Sequence, residues 1–293
     1  MTICIVARCL QDDCFIAVGD RMLSSGWTSA DSMSLKRLQV SRRWQAMFSA
    51  GDIAPIMPLI RRVRRYLEYG SEENKAETLN AISTAFVHAY QQEREAIINN
   101  TILGKVKLNL DTFLQQGYAM LGPEIHGATY REIGSVKVDV EFLVYGFDEK
   151  NTAHLFIVRD PGEVRSLDIE GFGTIGSGWL LAYASLLSRP LPLHRKGEMI
   201  YRLCEAKFLA EKAQGVGRET TVSCVDNPKA PDAPAVERYL DILTIERVRE
   251  EWNKDHARTL PLNALVGIEQ ALIGSVSIEQ MMETMNCMRL ARQ

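Results

Sequence analysis

The sequence predicts an α+β fold of four layers, a sandwich of two antiparallel sheets between two helical layers. Three observations carry this. Short β-rich runs come in hairpin pairs separated by polar turns. Apolar residues switch to helical spacing after the first strands and again after the second set, each time over two consecutive segments. The resulting order is strands, two helices, strands, two helices, strands. Hairpins followed by paired helices cover two sheets from outside, which a doubly wound parallel sheet does not do.

The elements follow in order. Residues 3–7 (ICIVA) and 14–18 (CFIAV) flank the polar turn at Gln11, Asp12 and Asp13 and read as a hairpin. Two more strands are expected around 34–40 and 44–49, split at Arg42 and Arg43, making four in the first 50 residues. Ile53, Ile56, Leu59, Ile60, Val63 and Leu67 then recur at helical spacing, with Pro55 and Pro58 in the first turns. Leu79, Ile82, Phe86 and Tyr90 mark a second helix, separated from the first near Gly70. Residues 103–137 mix apolar residues with Gly104, Gly117, Gly122, Pro123 and Gly127, and read as an irregular insertion with at most one short helix. Strands are expected at 138–147, 153–158 and near 164–167. Helices are expected at 179–187 and about 197–214, with a strand at 220–225. The run 227–234 (NPKAPDAP) is a surface loop, 236–245 is compatible with strand, helix or both, and 278–292 reads as a helix capped by Ser277. The expected organisation is one domain over 1–293, with the insertion at 103–137 and a C-terminal extension from about 226.

Composition narrows the function. Hydrophobic residues make up 46% and charged residues 24%, enough apolar material for a sizeable core. A formal net charge of -3 gives no reason to expect nucleic acid or a membrane surface as partner. The cluster Arg61, Arg62, Arg64 and Arg65 is read as a solvated or subunit-facing helix surface. Six cysteines, none in a CxxC pair, read as reduced thiols, and no metal or cofactor site is expected. No apolar leader or membrane-length run is seen, so a cytoplasmic location is expected.

The chemistry begins at Thr2. Removal of Met1 before a small residue leaves Thr2 with a free α-amine beside its own hydroxyl. An amine with a pKa near ~8 can take the hydroxyl proton and activate the oxygen as a nucleophile. Around it stand Asp20 in Gly19-Asp20-Arg21, Lys36, Gly51 in Ala50-Gly51-Asp52, and Ser177 between Gly176 and Gly178. Singly, each has a plainer role: Asp20 caps a turn, Lys36 is a solvated lysine, Gly51 permits a corner and Ser177 caps a helix.

Together and in order, TICIVA, IAVGDR, a lysine, AMFSAGD, LVYGFD and GTIGSG resemble the proteasome β-type N-terminal-nucleophile (Ntn) hydrolases, near the HslV-type and Anbu-type branches. Thr2 lies 18 residues before Asp20, 34 before Lys36 and 49 before Gly51, each slightly more than the family pattern, consistent with a lengthened first hairpin. The resemblance covers 2–70 and 138–225. It implies a threonine peptidase acting through an ester intermediate. In that scheme Thr2 attacks, Lys36 lowers the cost of the alkoxide, and Asp20 orients Lys36. The Gly51 N–H helps form an oxyanion hole, and Ser177 bonds near the α-amine. A serine common before the late strand is replaced by Val216; Glu205, Glu211 or Glu219 are open as substitutes. The resemblance further implies a peptide or unfolded-protein substrate and a homo-oligomeric ring or spiral, with the two early helices as a contact surface and an ATPase partner left open. Two other functions stand beside it: a non-catalytic assembly or scaffold subunit, and a small-amide hydrolase on the same fold. Scaffold subunits of the family carry a blocking N-terminal extension, and its absence here favours catalysis.

Overall fold

The computed structural model describes residues 2–25, 28–31, 36–70, 77–188, 195–228, 230 and 233–255. The chain divides into two units, 1–249 and 250–293; the second is described only at 250–255. The C-terminal helix expected at 278–292, its cap Ser277 and Cys287 lie outside the described residues.

The first unit holds two five-stranded antiparallel sheets. The first is built from β1 (Cys4–Cys9), β2 (Cys14–Asp20), β10 (Phe172–Ile175), β11 (Thr220–Asp226) and β12 (Val236–Tyr239), in the order β10-β1-β2-β11-β12. The second is built from β5 (Arg37–Gln39), β6 (Trp44–Ala50), β7 (Val140–Phe147), β8 (Ala153–Arg159) and β9 (Glu163–Ser166), in sequence order. A small ribbon, β3 (Met22–Ser25) with β4 (Thr28–Asp31), connects them in the chain. The predicted hairpin forms with Cys9 opposite Cys14. The ribbon raises the expected four early strands to six; its runs, MLSS and TSAD, are too short to carry an alternating apolar signal. β10 also went unread, since only four residues of it lie between turns.

The helices are α1 (Ile56–Tyr69), α2 (Leu79–Ile97), α3 (Leu110–Ser135), α4 (Trp179–Leu187), α5 (Lys196–Ala210) and α6 (Ile242–Asp255). Residues 236–245 hold both elements foreseen there, β12 and the start of α6.

The period of the strands explains the layers. On β7, Phe142 and Val144 join Leu59, Val63, Phe86 and Tyr90 in a core between the second sheet and helices α1 and α2. The alternate residues Leu143, Tyr145 and Phe147 join Cys4, Val6, Phe15 and Val225 in a second core between the two sheets. Helix α5 packs on the outer side of β1 and β2. The Tyr90 hydroxyl donates to the Val140 carbonyl at 2.5 Å, pinning α2 to the start of β7. Thr78 starts α2 by accepting from the Ala81 N–H at 3.1 Å.

The reading of 103–137 as irregular is corrected. It is a long helix, α3, broken once at Gly122, whose φ of 75° lies outside the helical region. Pro123 then starts the second segment, where its missing N–H is harmless. The two segments touch, with the rings of Phe113 and His126 stacked at 4.7 Å. Phe113 and Ile133 pack with Ile98, Ile102 and Leu103 in a small core of their own. Leu114, Tyr118, Met120, Ile125 and Tyr130 are exposed, so apolar residues occur all round α3 and its sequence shows no clean period. Among the described residues, Arg62 on α1 bonds Glu93 at 3.0 Å and Arg64 bonds the Gln39 carbonyl at 2.6 Å.

Candidate functional site

The end of the first sheet gathers four of the five candidate residues, Thr2, Asp20, Lys36 and Ser177. Thr2 precedes β1 and Asp20 closes β2. The antiparallel register sets Cys4 opposite Gly19, so the two residues meet at the sheet edge. The Asp20 N–H donates to the Ile3 carbonyl at 3.2 Å and extends that ladder. Lys36 leads into β5 of the other sheet and reaches across.

Lys36 Nζ donates to Thr2 Oγ1, and Thr2 Oγ1 donates to Asp20 Oδ1. Lys36 Nζ also lies 2.7 Å from Asp20 Oδ1. Thr2, Asp20 and Lys36 are 3%, 0% and 3% exposed, so the three polar groups answer one another in a dry setting. Oδ1 takes a further bond from the Ile3 N–H at 3.2 Å, while Oδ2 takes the Gly217 N–H at 2.8 Å. These four donors suit an acceptor-only carboxylate. The neighbouring Cys4 thiol is fully buried and pushed up to about 12 by that burial, against the pull of the Lys36 charge. It is a packing group rather than a competing nucleophile.

Ser177 stands on the other side of Thr2. The Thr2 backbone nitrogen donates to Ser177 Oγ at 3.3 Å, and Ser177 Oγ donates to the Thr2 carbonyl at 3.3 Å. The Gly178 N–H also donates to the Thr2 carbonyl at 3.3 Å. Gly176 has φ +97°, and a Cβ there would stand 2.3 Å from the Thr2 carbonyl oxygen. Glycine is required on both counts.

Gly51 departs from expectation. Its N–H, expected to help form an oxyanion hole, donates to the Asp139 carbonyl at 3.1 Å. The β6–β7 pairing, which reaches Ala50 opposite Val140, simply continues by one more bond. A Cβ on Gly51 would stand 1.9 Å from Asp139 Oδ2, so the missing side chain here admits Asp139.

The loop before β11 also becomes clear. Val216 is buried, and a Cβ on Gly178 would stand 2.9 Å from it, so Val216 packs beside the residues that hold Thr2. Of the three glutamates left open, Glu205 pairs with Arg202, Glu219 lies 3.6 Å from Arg21, and Glu211 lies 2.5 Å from Lys207 and 2.8 Å from Arg249. Gly217 and Lys207 were not singled out in the sequence. Lys207 lies four residues before Glu211, a spacing at which helical surface pairs are common, but its side chain is fully buried. Burial pushes its ammonium down to about 8, against the pull of Glu211. Among the described residues no group of three potential metal ligands occurs, and no helix is long and apolar enough to cross a membrane. The five described cysteines are buried thiols.

No protein-family model matches this sequence, and no curated protein matches it. Structure is more informative. A mutant of Anbu from Hyphomicrobium sp. strain MC1, described as Gly-1, superposes with a TM-score of 0.59 at 12% identity, over 95% of this chain and 99% of that one. The chain has a proteasome-like fold. The two antiparallel sheets between helical layers are the αββα sandwich expected from the order of elements.

Proposed function

We propose that this chain is a threonine peptidase of the Ntn-hydrolase type, acting through Thr2 after removal of Met1. The observation that supports it is the buried contact of Lys36 Nζ and Asp20 Oδ1 with Thr2 Oγ1. In the proposed mechanism the freed α-amine of Thr2 takes the proton from Oγ1, directly or through a water held near Ser177. Oγ1 attacks the carbonyl carbon of a peptide bond, and the electron pair of the carbonyl moves to its oxygen. The Lys36 charge stabilises the nascent alkoxide, and Asp20 fixes Lys36. Collapse of the tetrahedral adduct expels the amine, which takes the proton from the α-amine, and leaves an ester on Thr2. Water then hydrolyses the ester by the same route in reverse roles. The Gly51 N–H serves the oxyanion only if its bond to Asp139 opens on substrate binding.

A peptide or unfolded-protein substrate and a homo-oligomeric ring or spiral belong to the same proposal, with α1 and α2 as one contact surface. The exposed Leu114, Tyr118, Met120, Ile125 and Tyr130 make α3 a further apolar surface of the kind that subunit contacts cover. A non-catalytic scaffold subunit is the second reading, and the engaged Gly51 N–H is what favours it.

Intact mass and N-terminal sequencing, before and after an excess of an epoxyketone or β-lactone probe, test the proposal. The expected result is a chain that begins at Thr2 and gains one probe mass, with the gain abolished in Thr2→Ala. A chain that keeps Met1 and takes no probe sinks the catalytic reading in favour of the scaffold subunit.

A further inference from the structure

The loop between α5 and β11 is held from behind by a buried charge cluster. Lys207 Nζ donates to the carbonyls of Gly217 at 2.9 Å and Arg218 at 2.7 Å, and to Glu211 Oε1 at 2.5 Å. Arg249, on α6, grips Glu211 through two bonds of 2.8 Å and donates to the Arg218 carbonyl at 2.7 Å and to Thr220 Oγ1 at 3.1 Å. Its guanidinium lies 4.0 Å from the centroid of the Phe208 ring. Lys207 and Arg249 are almost completely buried. The outcome is felt at Asp20. Gly217 accepts from Lys207 through its carbonyl and donates through its N–H to Asp20 Oδ2 at 2.8 Å. Thr220, gripped by Arg249, is the residue opposite Asp20 in the β2–β11 ladder.

We propose that Lys207, Glu211 and Arg249 are positioning residues for the site: they fix the Gly217 N–H on Asp20 and so fix the rotation of the carboxylate that faces Thr2 and Lys36. Oδ1 is shared among three donors, and the bond on Oδ2 is what stops the carboxylate from turning about its Cβ–Cγ axis. The C-terminal extension, which the family resemblance leaves unexplained, thus supplies through Arg249 a support for the site. The part of this that concerns reactivity rests on the reading of Thr2 as nucleophile; the part that concerns the loop does not.

Two readouts on the full chain test it. Hydrogen exchange, followed by mass spectrometry on peptides covering 215–220, reads the Gly217 amide. The saturating rate and half-saturating concentration for β-lactone labelling read Thr2. Arg249→Met keeps much of the side-chain volume and removes the donors. It is expected to speed exchange at Gly217 by about ten-fold or more. It should also slow saturated labelling about ten-fold while the half-saturating concentration moves by less than about two-fold, because a misplaced site loses rate rather than affinity. Arg249→Lys should recover part of both. Glu211→Gln serves as the second variant if Arg249→Met does not fold. Unchanged protection of Gly217 overturns the proposal whatever the activity, and so does lost protection with unchanged labelling. A parent chain that takes no label sinks the hydrolase reading alone. The exchange comparison then still decides, since faster exchange in Arg249→Met supports the hold on Gly217 and equal exchange overturns it.

Discussion

Lys36 Nζ stands 2.7 Å from Asp20 Oδ1, with the two side chains only 3% and 0% exposed. A pair this dry is costly to break from one side, because the remaining charge has lost its partner and has no water to replace it. Asp20→Ala is expected to destabilise the fold by about 3–5 kcal/mol. Asp20→Asn with Lys36→Met removes both charges and should recover most of that stability, yet take no label at Thr2. Urea unfolding and probe labelling of the two variants check this. A double variant as unstable as Asp20→Ala would mean that the loss comes from packing rather than from an unpaired charge.

Gly176 gives a prediction that separates backbone from side-chain chemistry. Its φ of +97° and the 2.3 Å approach of a Cβ to the Thr2 carbonyl oxygen leave no room for alanine. Gly176→Ala should cost about 1–3 kcal/mol in strain. It should also abolish labelling at Thr2, since the carbonyl that accepts from Ser177 and Gly178 must move. Gly171, also at positive φ (+71°) but with nothing near its Cβ position, is the control: Gly171→Ala carries the backbone strain and should keep labelling.

Phe142 tests the core under α1 and α2. It is fully buried, with its ring 5.3 Å from Phe86 and 6.3 Å from Tyr90. Phe142→Ala should cost about 3–5 kcal/mol through lost transfer energy and the cavity left behind. The urea midpoint should fall with no change in slope. A cost below about 1 kcal/mol would mean that the helices close over the gap.

Residue pattern reached some of these features and not others. The β1–β2 hairpin, α1, α2 and α4 were legible because their apolar residues keep one period and their boundaries carry turn residues or prolines. α3 was not, because its buried face is narrow, its exposed face carries leucine, tyrosine and methionine, and Gly122-Pro123 looks like a loop while serving as a kink. At the site, Thr2, Asp20, Lys36 and Ser177 were named as candidates from ordered motifs, and the structure sets the other three against Thr2. Gly217 and Lys207 were out of reach: a glycine N–H and one half of an i,i+4 pair acquire their roles only when Thr220 falls opposite Asp20. Gly51 was named for its N–H, but whether that N–H is spent on Asp139 depends on how far β6 and β7 stay paired, which composition does not encode.

His154 should make stability depend on pH. Its Nδ1 lies 2.9 Å from Asp168 Oδ2, its Nε2 lies 3.5 Å from Asp148 Oδ2, and its ring stacks on Trp44. The hydrogen bond to Asp168 raises its pKa above the ordinary 6.5, burial works against this, and Asp148 adds to the rise. Burial alone would raise the Asp168 carboxyl, but its bonds to His154 and the Leu155 N–H outweigh that and hold it below the ordinary 3.8. A raised histidine binds its proton more tightly in the folded chain, so its contribution is complete below about pH 6.5 and is lost as pH rises through the folded value. A lowered aspartate contributes above about pH 3.8 and loses that contribution as pH falls through its folded value. The two overlap between about pH 4 and 6.5. Melting temperature should therefore drop from pH 6 to pH 8.5, and His154→Asn should flatten that drop while lowering the value at pH 6. An equally steep drop in His154→Asn would assign the dependence to another group.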